Sequence, residues 1–126
     1  MHFAQNLTQE EQRATRENLS EEELAIFDLL TQPEPELTEK EKDDVKKVAK
    51  YMLAKLKSEK LVLDWKLKTR TKADVERTIR DFYIRLPGAY TPELKREKRA
   101  KTYAHIYENY FGAGQSVYQG MGVAAH

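Results

Sequence analysis

The chain has 126 residues, the length of one domain, with 40% hydrophobic and 34% charged residues and no cysteine. That balance excludes wholesale disorder, and the missing cysteine excludes disulfides, a thiolate metal site and a thiol nucleophile. No apolar run approaches the ~20 residues of a membrane span, so a cytoplasmic protein without membrane contact is expected. The net charge of +1 conceals a division. Residues 1–44 hold four Lys/Arg and thirteen Asp/Glu, a net −9, and residues 45–126 hold eighteen and eight, a net +10. Either the basic part faces phosphate, or the acidic part folds back and neutralises it.

Helix starts are marked by hydroxyl residues followed three positions later by glutamate. In such a capping box the hydroxyl accepts an orphan amide proton and the carboxylate reaches back to the cap. Thr8 with Glu11 opens a polar first helix over 9–17, part of an N-terminal arm of residues 1–17. Ser20 with Glu23 opens a second over 21–30, which Gln32-Pro33-Glu34-Pro35 then breaks, because neither proline fits a helix interior. Thr38 with Glu41 opens a third over 39–58, with a stripe of Val45, Val48, Ala49, Met52 and Leu56 at helical spacing.

Leu61-Val62-Leu63-Asp64-Trp65 reads either as a short extended segment or as a helix end. A weaker box at Thr71 and Asp74 predicts a fourth helix over 72–86, with Val75, Ile79, Phe82 and Leu86 on one face, ended by Pro87-Gly88. Thr91-Pro92 starts a fifth over 92–111, proline standing where its missing N–H costs nothing. Residues 112–126 read as a flexible Gly-rich tail. The fold class is all-α, a small bundle of about five helices formed mainly by residues 18–111.

Catalytic patterns are scarce. No glycine precedes a lysine as a phosphate-binding loop requires, and no serine sits in a nucleophile elbow. His105 and Glu108 form one i, i+3 pair, short of the three or four ligands of a zinc site. Asp81 followed by Glu93-Leu94-Lys95 has the residue types of a Mg²⁺-dependent nuclease, but that arrangement normally lies on strands, and here it falls at helix ends. Ordinary surface charges are the simpler reading.

Binding patterns are richer. Lys66, Lys68, Arg70 and Lys72 form one basic cluster, and Lys95, Arg96, Lys98, Arg99 and Lys101 another. These nine residues are the candidate phosphate contacts. Arg96 and Arg99 continue the helix face that carries Tyr103, Tyr107 and Tyr110, and cations beside aromatics suit nucleic acid. The simpler reading puts the tyrosines in the core and the cations in solvent. Lys46, Lys50 and Lys57 share a face that reads as plain solvated surface. The second helix has almost no polar face: Leu24, Ala25, Ile26, Phe27, Leu29 and Leu30 either lie in the core or, through Leu24, Phe27 and Leu30, dock on a partner.

Three stretches carry a resemblance. They are Asn18 through Ile26-Phe27-Asp28-Leu29-Leu30 and Pro33-Glu34-Pro35 to Thr38; Glu59-Lys60-Leu61-Val62-Leu63-Asp64-Trp65 with the basic run after it; and Leu86-Pro87, Tyr90 and His105-Ile106-Tyr107-Glu108. In this order they resemble the C-terminal region of the R subunit, the restriction and translocation motor, of type I restriction-modification enzymes, over about residues 18–110. The resemblance implies a non-catalytic domain that docks the motor subunit on a methyltransferase core of modification and specificity subunits, and the two basic clusters add an expected contact with double-stranded DNA, non-specific because no sequence-reading element is present. It implies a parent that is an ATP-dependent site-specific deoxyribonuclease, with ATP and Mg²⁺ bound elsewhere and no cofactor in this stretch. No catalytic residue carries over. A stand-alone DNA-binding module, or an Mg²⁺-dependent nuclease, is the alternative.

Overall fold

The computed structural model describes residues 8–112 and 115–118. Five α-helices run α1 Gln9–Glu17, α2 Glu21–Thr31, α3 Glu39–Lys55, α4 Thr69–Tyr83 and α5 Pro92–Asn109. Two strands, β1 Tyr110–Gly112 and β2 Gln115–Ser116, pair antiparallel behind them. The all-α bundle is therefore the architecture, with a small hairpin added.

All three capping boxes form. Thr8, Ser20 and Thr38 each accept the amide of the glutamate three residues on, and that carboxylate accepts the cap amide in return. Thr91 accepts from the Leu94 amide, with Pro92 opening α5. The Thr71 box does not form. The Thr71 hydroxyl instead donates to the carbonyls of Trp65 and Lys68, so α4 starts at Thr69, earlier than its sequence signal.

α1 is tied down at its middle and at its C-terminal end. Asn18 adopts the left-handed conformation (φ 62) that closes a helix, which turns Leu19 into the core beside Ala14. Arg13 forms a two-pronged ion pair with Asp28 of α2 at 2.8 and 2.6 Å. α2 in turn lies in the centre, with Leu24, Ile26, Phe27 and Leu30 buried. The predicted α3 stripe, Val45, Val48, Ala49, Met52 and Leu56, is buried throughout. α3 continues into a wide π-helical turn, Leu56–Lys60, that delivers Leu61 to the core.

Residues 61–65 are not extended. Asp64 is left-handed (φ 59) and opens a short 3₁₀ turn, Trp65–Leu67, so Leu61 and Trp65 point inward while Val62 and Leu63 stay exposed. Trp65 is fully buried, meets Tyr103 and Tyr107 edge-on, and donates its indole N–H to the Tyr110 carbonyl at 3.2 Å.

The hairpin is packed where it is described. Gly112 has φ +110, and a Cβ there would come within 2.7 Å of the Val62 carbonyl oxygen, so only glycine fits. The Tyr110 hydroxyl donates to Glu22, which also receives Lys57 at 3.0 Å. Of the tail expected over 112–126, residues 113–114 and 119–126 lie outside the described residues.

Candidate functional site

The acidic half does not cover the basic one. The ion pairs that acidic residues of 1–44 make with cations of 45–126 go to Lys46 and Lys57, on α3 and its π turn. Among the described residues, none reaches the cations of 66–72 or 95–101.

α4 and α5 pack together and leave a cleft of about 580 Å³ between their outer edges. Arg77 and Arg80 stand on the α4 wall and Arg96 and Arg99 on the α5 wall. Ala73, Ile79, Ala100 and Tyr103 also line the cleft, and Glu76 is the one carboxylate in the lining. Arg77 is held by Asp74 at 3.0 Å and Arg80 lies 4.0 Å from Asp81, both exposed pairs that compete weakly with a ligand. Among the described residues, Arg96 and Arg99 take part in no ion pair. A planar guanidinium without a carboxylate presents its paired donors to phosphate.

The face continues into rings. Tyr103 lies 6.0 Å from Tyr107, and the Lys66 ammonium sits 4.8 Å from the Tyr107 centroid and 5.3 Å from that of Phe111. Burial, helped by Glu76, raises the Tyr103 phenol above its ordinary pKa, so it stays neutral. Tyr107 and Phe111 are exposed, while Tyr110 is core.

The remaining sequence candidates divide. Lys68 and Arg70 are exposed at the start of α4, and Lys72 is half-buried. Lys95 is half-buried, and Lys101 is exposed and paired with Glu97 at 3.5 Å. Lys98 is a correction. It is 1% exposed, and its ammonium donates to the carbonyls of Leu29 at 2.9 Å and Gln32 at 2.5 Å, at the C-terminal end of α2. Position 98 shares the inward face with Thr102 and Ile106, so its charge is withdrawn from any phosphate. Burial lowers its pKa from the usual lysine value, as does the nearby Lys101. Leu24, Phe27 and Leu30 are a second correction. They are filled in by this domain's own core and offer no surface to a partner.

The exposed apolar surface lies elsewhere. Leu63 is 68% and Leu67 79% exposed, with Val62 beside them and Phe111 next to Lys66. Asp81 and Glu93 are exposed on helices, and among the described residues no three histidine or carboxylate side chains gather to hold a metal. His105 is half-buried. Its Nδ1 meets Asn109 at 3.2 Å, its Nε2 has no hydrogen-bond partner, and burial lowers its pKa.

The chain matches the family model described as type I restriction enzyme HindI endonuclease subunit-like, C-terminal, over residues 1–108. It belongs to that family. No curated protein and no solved structure matches it. The family match takes in α1 to α4 and all but the last residue of α5, while the β1–β2 hairpin lies beyond it. No helix among the described residues of this HindI-like C-terminal domain is long and apolar enough to cross a membrane.

Sequence reasoning missed Arg77 and Arg80. Each has an aspartate close by in the chain, Asp74 and Asp81, so the local charge looked balanced. Only the packing of α4 against α5 sets them opposite Arg96 and Arg99.

Proposed function

We propose that this domain is a non-catalytic assembly module of a type I restriction endonuclease subunit, which docks that subunit on the methyltransferase core of modification and specificity subunits. The supporting observation is the apolar turn, where Leu63 and Leu67 stand in solvent on a segment anchored by buried Leu61 and Trp65. Apolar side chains held out on a rigid base are what a protein partner desolvates. Besides docking, the cations exposed on α4 and α5 contact the backbone of double-stranded DNA without reading its sequence. ATP and Mg²⁺ belong to other regions of the parent subunit.

The test is capture of the modification and specificity subunits by this chain. Leu63→Asp with Leu67→Asp should abolish capture and leave the fold intact. Capture that survives both changes would sink the docking surface. For DNA, neutralising about four phosphates makes affinity fall on the order of a hundredfold between 50 and 200 mM salt. Salt-insensitive binding, or none, would remove the DNA contact and leave the docking role.

A further inference from the structure

We propose that the α4–α5 cleft receives a single strand of nucleic acid, with phosphates on Arg80, Arg96 and Arg99 and bases on the rings of Tyr103, Tyr107 and Phe111. This rests on the nucleic-acid reading above and narrows it. The lining arginines stand on two adjacent helices, so one backbone running along the cleft meets both walls. A duplex meets such a site only with its rim of phosphates, and its bases stay stacked within. The rings beyond the arginines would then touch nothing.

The arrangement along α5 is directional. Arg96, Arg99, Tyr103 and Tyr107 follow one another at helical spacing on one face, and the span from 96 to 107 is roughly 16 Å. Cations thus lie toward one end of the track and aromatic faces toward the other. Tyr103 joins the two parts, because it lines the cleft and also lies 6.0 Å from Tyr107. Past it, Tyr107 is 40% and Phe111 51% exposed, and both are held beneath Lys66.

An unpaired strand offers what this track lacks: negative charge for Arg96 and Arg99, and open π faces for the rings. An acidic peptide would satisfy the arginines alone and bring no ring to stack on the exposed parts of Tyr107 and Phe111. Glu76 is the one unfavourable charge in the lining, against four guanidiniums. The cleft's 580 Å³ is within the range of sites that enclose small ligands, so it holds a short piece of the strand rather than a folded nucleic acid.

Fluorescence anisotropy of a labelled oligo-dT of about ten nucleotides, against a duplex of equal length, tests this with the 126-residue chain. The single strand should bind more tightly. Arg96→Ala with Arg99→Ala should weaken it at least about tenfold and flatten the log–log salt slope by about 1.4, at about 0.7 per phosphate contact. Tyr107→Ala should weaken it by about tenfold with the slope unchanged. Lys47→Ala, on an exposed position of α3, should change neither. Circular dichroism of each variant checks that the helices persist. Duplex binding as tight as the single strand would overturn the inference and leave non-specific DNA contact standing. Binding of neither would overturn both. Competition by poly-glutamate as effective as by unlabelled oligo-dT would replace the strand with an acidic peptide and overturn the inference too.

Discussion

The ammonium of Lys98 lies 2.5 Å from the carbonyl oxygen of Gln32, and so a lysine of α5 closes the C-terminal end of α2. The same group binds Leu29, and the Tyr90 hydroxyl takes the carbonyl between them, that of Leu30, at 2.7 Å. Helix ends leave carbonyls without partners and carry partial negative charge, so a buried cation there has both a hydrogen-bonding and an electrostatic reason.

Lys98→Ala should cost about 1–3 kcal/mol, because it leaves two inward-facing carbonyls bare. Lys101→Ala, one turn away and exposed, should stay within about 0.5 kcal/mol. Urea unfolding of the two variants separates the roles. Equal small effects would return Lys98 to the solvated surface.

Two glycines should respond in opposite directions. Gly88→Ala meets nothing within 4 Å, has no left-handed backbone and should stabilise by about 0.4–1 kcal/mol through the unfolded chain. Gly112→Ala meets the Val62 carbonyl at 2.7 Å with φ +110 and should destabilise by about 1–3 kcal/mol. Thermal melts of both variants against the parent chain decide this.

Alkaline pH should unfold the chain. Burial raises the Tyr83, Tyr90 and Tyr110 phenols well above their ordinary value of 10, with Glu22 adding to the effect on Tyr110. A phenol whose folded pKa is raised contributes stability that is whole below pH 10 and is lost as pH climbs beyond it. Lys98 acts in the other sense: its lowered pKa makes the folded state gain as pH approaches 10.5. The raised phenols outnumber the one lowered amine, so the net effect is a loss. The phenolate absorbance that belongs to the buried tyrosines should appear together with the loss of helix signal above pH 10. Full phenolate formation with the helices intact would contradict this.

Arg13→Ala should release α1. The pair with Asp28 is two-pronged and only about 30% exposed on either side, so it should contribute about 1 kcal/mol, more than an exposed pair. Amide hydrogen exchange should quicken over 9–17 first, and over α2 much less.

Local chemistry made the helix starts legible, since Ser20 and Glu23 define a cap by themselves. The α3 stripe was legible because apolar spacing acts within one helix. Thr71 was not, because its hydroxyl is taken by the Trp65 carbonyl, six residues back in a 3₁₀ turn that no local pattern announces. Lys98 was misread for a related reason: charge signals solvent, and the carbonyls that reverse this belong to a helix some 70 residues earlier in the chain. On the site, Arg96 and Arg99 were visible as a basic run, and the four-arginine cleft was not. It exists only where two helices meet.

The indole of Trp65 finds its acceptor at Tyr110, and the Val62 carbonyl finds its close neighbour in Gly112. The segment that follows α5 therefore seals the interior over Trp65. A cut after Glu108, where the family match ends, would keep every helix nearly whole and still leave the indole N–H unsatisfied. The domain's working boundary is set by that one hydrogen bond, two residues beyond the family match.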